Sequence, residues 1–163
     1  MITLIHDIED IDFFQKNKPD DLEIIFNDGK ITPCICCFGC WIKTPGQCVI
    51  KDGYENMGAL LSKSNKVIII SKCVYGGFSP FVKNVLDKSI SYVLPYFEIK
   101  NGETHHKKRY DNSYELVVHF YGKIMESEKE TAKKLLKANE RNFYHKTEVH
   151  FYESPKEIKG VYP

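Results

Sequence analysis

Residues 67–70 read Val-Ile-Ile-Ile, and residues 116–120 read Leu-Val-Val-His-Phe. Neither run alternates apolar with polar side chains, so each predicts a strand covered on both faces, as in the middle of a parallel sheet. Working outward, Ile2–His6 and Leu22–Phe26 read as short strands, and residues 148–152, only half apolar, as a last strand at a sheet edge. Between them, Asp52 is placed to cap a helix carrying Tyr54, Met57, Leu60 and Leu61 on one side. Pro80 opens a second helix with Phe81, Val82, Val85 and Leu86 inward. Ser127 followed by Glu130 forms a capping box for a third, through Leu135, Leu136 and Phe143, with its lysines on the wet face.

Five strands alternating with helices imply right-handed βαβ units in a doubly wound α/β sheet. At this size the flavodoxin-like strand order 2-1-3-4-5 is expected, in a single domain over residues 1–163. Residues 96–113 break the rhythm. There an Asn101-Gly102 turn between Phe97-Glu98-Ile99 and residues 103–109 predicts a β-hairpin inserted before strand four.

Composition narrows the function classes. The 163 residues carry 23 Lys and Arg against 22 Asp and Glu, a formal charge of +1, so no broad attraction to nucleic acid or anionic lipid is built in. The wholly aliphatic run of residues 67–70 falls far short of the roughly 20 residues that span a bilayer. Asp7, Glu9 and Asp10 stand where a secretory signal would stay apolar, and the chain reads as cytoplasmic, with neither nucleic-acid nor membrane partners.

Five of the six cysteines, Cys34, Cys36, Cys37, Cys40 and Cys48, fall in one 15-residue window, whereas a disulfide-stapled secreted domain spreads them along the chain. Cys34, Cys37, Cys40 and Cys48 form a C-x2-C-x2-C-x7-C arrangement. Four thiolates in a compact loop suit a cubane iron–sulfur cluster or tetrahedral zinc, and reduced thiols packed as small hydrophobes are the third option. The loop after strand three, Val74, Tyr75, Gly76, Gly77, Phe78 and Ser79, combines glycines that let backbone approach a flat ligand with aromatics that stack on it. Pro80 then starts a helix, which predicts free backbone N–H groups at a crevice rim. In a doubly wound sheet both loops open at the carboxyl edge, where ligands collect.

The run PCICCFGCWIKTPGQCVIKDG (residues 33–53), followed by VIIIS and VYGGFSPFVKNVLDKS, resembles the flavodoxin-like NAD(P)H-dependent FMN reductases and their iron–sulfur flavoprotein relatives over residues 31–89. The resemblance implies an FMN-dependent oxidoreductase or electron carrier, with NAD(P)H as electron donor and a small molecule or protein as acceptor. It implies that residues 74–79 contact the flavin ring and that Cys34, Cys37, Cys40 and Cys48 carry a [4Fe-4S] cluster. The chain is expected to form a homo-oligomer, and no side chain is assigned as an obligatory acid or base.

Where that family carries a Gly/Ser/Thr-rich phosphate loop after strand one, this chain reads HDIEDIDFF (residues 6–14), and its carboxylates repel a phosphate. A flavodoxin-like binding module without FMN is therefore the second reading, and an iron–sulfur or zinc protein using residues 34–48 the third. The hairpin's His105, His106, Lys107, Lys108 and Arg109 read first as a solvated tip, with reach across the crevice to a phosphate or contact with a partner subunit as the alternatives. A metal site from His6, Asp7, Glu9 and Asp10 is a minor option. His119, inside an apolar strand, reads as a satisfied core histidine.

Overall fold

The computed structural model describes residues 1–10, 14, 18–143 and 145–161. In chain order the elements are β1 (Ile2–His6), β2 (Leu22–Phe26), α1 (Gly39–Ile42), α2 (Met57–Ser62), β3 (Lys66–Lys72), α3 (Pro80–Lys88), β4 (Val93–Lys100), β5 (Glu103–Lys108), β6 (Glu115–Tyr121), α4 (Glu126–Phe143) and β7 (Lys146–Tyr152). Single 3-10 turns lie at Ser89–Tyr92 and Pro155–Glu157.

Five strands form one wholly parallel sheet in the order β2-β1-β3-β6-β7, with registers such as Ile2 opposite both Leu22 and Lys66. The numbering differs from the expected 2-1-3-4-5 because the inserted hairpin supplies two full strands, β4 and β5, which form a separate antiparallel sheet. Asn101 and Gly102 both have positive φ, the conformation a two-residue hairpin turn requires. The expected solvated tip is partly folded inward: His105 is buried, and His106 Nδ1 lies 2.7 Å from Leu94 O.

The apolar runs divide between two cores because successive strand residues face opposite ways. Val67 and Ile69, with Leu116, Val118 and Phe120, pack against residues of α2, α3 and α4. Ile68 and Ile70, with Leu4, pack on the other face against Phe14 and Ile158. Both faces are therefore covered, although all the helical cover described lies on the first. The link between β1 and β2 includes residues 11–13 and 15–17, which lie outside the described residues.

Three local expectations shift. The helix expected to be capped by Asp52, α2, begins at Met57 with Asn56 at its N-cap, and the Asp52 carboxylate is engaged elsewhere. α4 begins at Glu126, and its reciprocal cap is the Met125 N–H donating to Glu128 Oε2 at 2.9 Å, while Glu130 pairs with Lys133. The last strand starts at Lys146, earlier than its apolar pattern indicates, because it follows β6 in register from Glu115 onward. His119 is 8 % exposed, with Nδ1 3.2 Å from the Tyr152 hydroxyl and its ring stacked on His150, as a core histidine should be. No helix among the described residues is long and apolar enough to cross a membrane.

Candidate ligand site

The segment after β2 is pinned at its root. Thr32 N–H donates to Asp52 Oδ2 at 2.7 Å, and the same oxygen accepts from the buried Lys88 ammonium at 2.8 Å. Burial alone would raise the Asp52 pKa, but the bonds from Lys88, Thr32 and Tyr54 outweigh it and hold the carboxyl below its usual range. From this anchor the chain passes through Cys36 and Phe38, both at left-handed φ despite their side chains, into α1. Such strain is retained where surrounding contacts fix it. Trp41 does so here: its indole N–H donates to Val93 O at 2.9 Å, and its ring lies against Phe38 and His106.

All six thiols are free. The Cys40 pKa is raised by burial first and then by its neighbours Cys48, Cys34 and Cys37. Cys36 and Cys37 are both exposed, Cys34 and Cys40 are half-buried, and Cys48 is buried. Among the described residues, no three His, Cys, Asp or Glu side chains converge into a preformed metal-holding group. A tetrahedral zinc site needs four sulfurs about 2.3 Å from one point, which this conformation does not supply. A cubane cluster, with four irons and four sulfides between the thiolates, takes sulfurs set farther apart.

The segment after β3 forms a two-residue turn. Val74 and Gly77 exchange backbone hydrogen bonds at 3.0 and 2.9 Å, with Tyr75 and Gly76 both at positive φ between them. Gly76 lies against α4 so closely that a Cβ would come within 2.7 Å of the Glu128 carbonyl oxygen and of Thr131, whereas a Cβ on Gly77 would meet only Val74 O at 3.5 Å. Tyr75 is 89 % exposed, and the Ser79 hydroxyl caps α3 by accepting from Val82 N–H. The predicted free N–H groups at this rim are largely used internally: Val74 and Gly77 by each other, Ser79 by the Ser71 hydroxyl.

Between these two segments lies a cavity of about 760 Å3. Cys34, Cys37, Cys40 and Cys48 line it, as do Val74, Gly77 and Phe78 of the six residues expected at a flavin ring; Tyr75, Gly76 and Ser79 do not. Its remaining walls include Phe38, Trp41, Leu86, Leu135, Phe143 and His145. The α4 contribution was hidden in the sequence because Leu135 and Phe143 read as ordinary core positions of an amphipathic helix, and nothing in the pattern marks His145. The volume falls within the range of small-molecule sites, about 300–1,000 Å3, and an apolar, aromatic lining suits a flat ring.

The carboxyl edge of β1 and β3, where the strand order turns, is differently built. Asp7 reaches across it: Oδ2 accepts from Lys72 N–H at 2.9 Å and Oδ1 from the Tyr121 hydroxyl at 3.1 Å. Burial, then the Asp7 charge, raises the Tyr121 pKa. Beside it His6 is 1 % exposed, with no partner for Nδ1 among the described residues, and burial lowers its pKa to about 4. Two donors that could hold a phosphate at this edge thus hold a carboxylate of the chain itself. The cavity has a volume and an apolar lining that suit a flat ring, whereas the donors at the edge already hold Asp7.

No protein-family model matches this chain, and no curated protein matches it.

Proposed function

We propose that the protein is an FMN-dependent redox protein of the flavodoxin-like, NAD(P)H-dependent reductase type, holding flavin chiefly by its ring. The observation that carries the reading is the shared cavity: the cysteine segment and the Val74–Gly77–Phe78 wall, far apart in sequence, line one apolar space. Val74, Gly77 and Phe78 would flank the ring on one side, and Phe38 and Trp41 supply further aromatic surface. When bound, FMN supplies hydride acceptance and one-electron transfer, and the protein supplies position and a water-poor environment. The parallel five-stranded sheet with its turn in strand order beside β1 supports the fold assignment.

Asp7 supports the second reading, a flavodoxin-like module that binds a partner or ligand without FMN, because it occupies donors a phosphate would use. One titration separates the two. FMN fluorescence is followed against the native protein and against Asp7→Ser, which frees Lys72 N–H and the Tyr121 hydroxyl. On the flavin reading the native protein quenches weakly and the variant more strongly, by roughly fivefold in affinity for removing one solvated like charge at about 4 Å. Absence of quenching by both proteins makes the module the better account.

A further inference from the structure

The apolar cavity extends well beyond the Val74, Gly77 and Phe78 wall. Those residues follow β3 at the carboxyl edge of the sheet, whereas Tyr114, Phe143 and His145, which line the same cavity, stand where β6 and β7 begin and α4 ends. β6 is seven residues long, so the two groups are separated by roughly 20 Å along the strands, at about 3.3 Å per residue. The cavity therefore has a second end, at the amino edge of the sheet.

No uncompensated charge lines it. Lys83 and Asp87, from α3, pair with each other at 2.6 Å, and burial keeps His145 neutral, with its pKa lowered to about 4. Ser89 Oγ, also in the lining, donates to Leu86 O at 2.6 Å. Tyr114 is different. It is only 7 % exposed, yet its hydroxyl bonds no group among the described residues. Nor is that oxygen enclosed by protein: among the described residues, the one sealed side-chain polar atom without a partner is His6 Nδ1. The Tyr114 hydroxyl thus opens on the cavity that its ring lines. Beside it, His145 Nδ1 lies 3.1 Å from Thr147 Oγ1, which leaves Nε2 for a ligand. The surrounding surface is aromatic. The Tyr114 and His145 ring centroids are 5.1 Å apart, and Phe143 lies 6.5 Å from His145.

These features select a chemistry. An ion would lie uncompensated against apolar walls, and a pure hydrocarbon would leave the Tyr114 hydroxyl without a partner. A hydroxyl both donates and accepts, so it suits the Tyr114 hydroxyl and the imidazole whichever ring nitrogen carries the proton. A flat ring packs on the aromatic walls. We propose that the amino-edge end of the cavity is a binding site for a neutral, single-ring phenol, with its ring against Tyr114, Phe143 and His145 and its hydroxyl bonded to the Tyr114 hydroxyl. His145 Nε2 is the second partner of that hydroxyl. The site lies apart from the flavin-ring wall, needs no flavin, and goes beyond the flavin reading.

The test uses three probes of similar shape: p-cresol, toluene, which lacks the hydroxyl, and p-toluate, which carries a charge. Each is titrated into native protein and Tyr114→Phe by calorimetry, and bound p-cresol is located in native protein by intermolecular nuclear Overhauser effects. p-Cresol should bind native protein saturably, and p-toluate at least tenfold more weakly. Tyr114→Phe removes an atom with no partner in the fold, so it should keep the native thermal midpoint and toluene affinity while losing roughly fivefold in p-cresol affinity, the fold expected for one net hydrogen bond. Overhauser effects should join p-cresol to the rings of Tyr114 and Phe143. Absence of saturable p-cresol binding, p-toluate binding as tightly as p-cresol, a p-cresol affinity indifferent to Tyr114→Phe, or Overhauser effects to Val74 and Phe78 in place of Tyr114 and Phe143 would overturn the proposal. None of the probes is a flavin, so a negative FMN titration leaves this result standing, and a negative result here leaves the flavin reading standing.

Discussion

The Lys88 ammonium lies 2.8 Å from Asp52 Oδ2, with the lysine side chain 0 % and the aspartate side chain 8 % exposed. A sealed ion pair therefore ties the end of α3 to the residue that anchors Thr32 at the root of the cysteine segment. Removing one partner leaves the other charge buried, which costs about 3 kcal/mol or more. Lys88→Met and Asp52→Asn should each lower the urea midpoint substantially, and the double variant should lose less than the two single losses combined. Additive losses would show that the two side chains do not act as a pair.

Three buried histidines predict acid sensitivity. Burial holds His6, His119 and His145 at pKa values of about 4, against 6.5 for the free side chain. Between those values the unfolded chain binds more protons than the folded one, so stability is full above pH 6.5 and falls as the pH drops toward 4. Urea midpoints measured from pH 7.5 to pH 4 should fall accordingly, and His145→Phe should flatten part of the slope. A midpoint constant across that range would contradict the burial of these rings.

Gly76 and Gly77 adjoin in sequence but should respond differently. Gly76→Ala combines a strained φ with a backbone clash at α4 and should destabilise by more than about 1 kcal/mol. Gly77→Ala meets ordinary contact and should stay within about 0.5 kcal/mol of native. Gly77→Val, which projects into the cavity, should keep its thermal midpoint while losing FMN quenching. Equal thermal losses at Gly76 and Gly77 would remove the distinction.

The thiol arrangement predicts a difference between Cys40 and Cys36. After anaerobic reconstitution with iron and sulfide, Cys40→Ser should lose the broad visible absorbance of a cluster, because Cys40 belongs to the spaced set and lines one cavity with Cys34, Cys37 and Cys48. Cys36 stands outside the C-x2-C-x2-C-x7-C spacing, so Cys36→Ser should retain the absorbance. Equal iron content in the two variants, or none above background in native protein, would set the cluster aside and leave reduced thiols.

The parallel sheet was legible because residues 67–70 and 116–120 are apolar at every position, or nearly so, a pattern that only a strand covered twice requires. The cavity was legible to the extent that two unusual segments follow two strands of one sheet edge. What the sequence conceals is long-range pairing. Asp52 looks like a helix cap until Lys88 arrives from the end of α3, and Asp7 looks like surface charge until Lys72 N–H and the Tyr121 hydroxyl close on it. In the same way the Tyr75-Gly76 pair suggests ligand contact, but Gly76 is needed by α4 and Tyr75 points to solvent. Tyr114 and His145 meet only in the fold, since nothing in either segment names the other.

The register that places Ile2 beside both Leu22 and Lys66 also orders events in time. The hairpin of β4 and β5 closes on neighbouring residues and can form in about 1–10 μs. β1 has no such local option: a two-stranded parallel pair is not stable alone, and its second neighbour is made only after residue 66. During synthesis the apolar N-terminal strand therefore waits with its edges open while more than a third of the chain emerges. This interval exposes the nascent protein to chaperones and to aggregation. Substitutions in residues 67–70 should accordingly reduce the yield of folded protein even where the finished fold tolerates them.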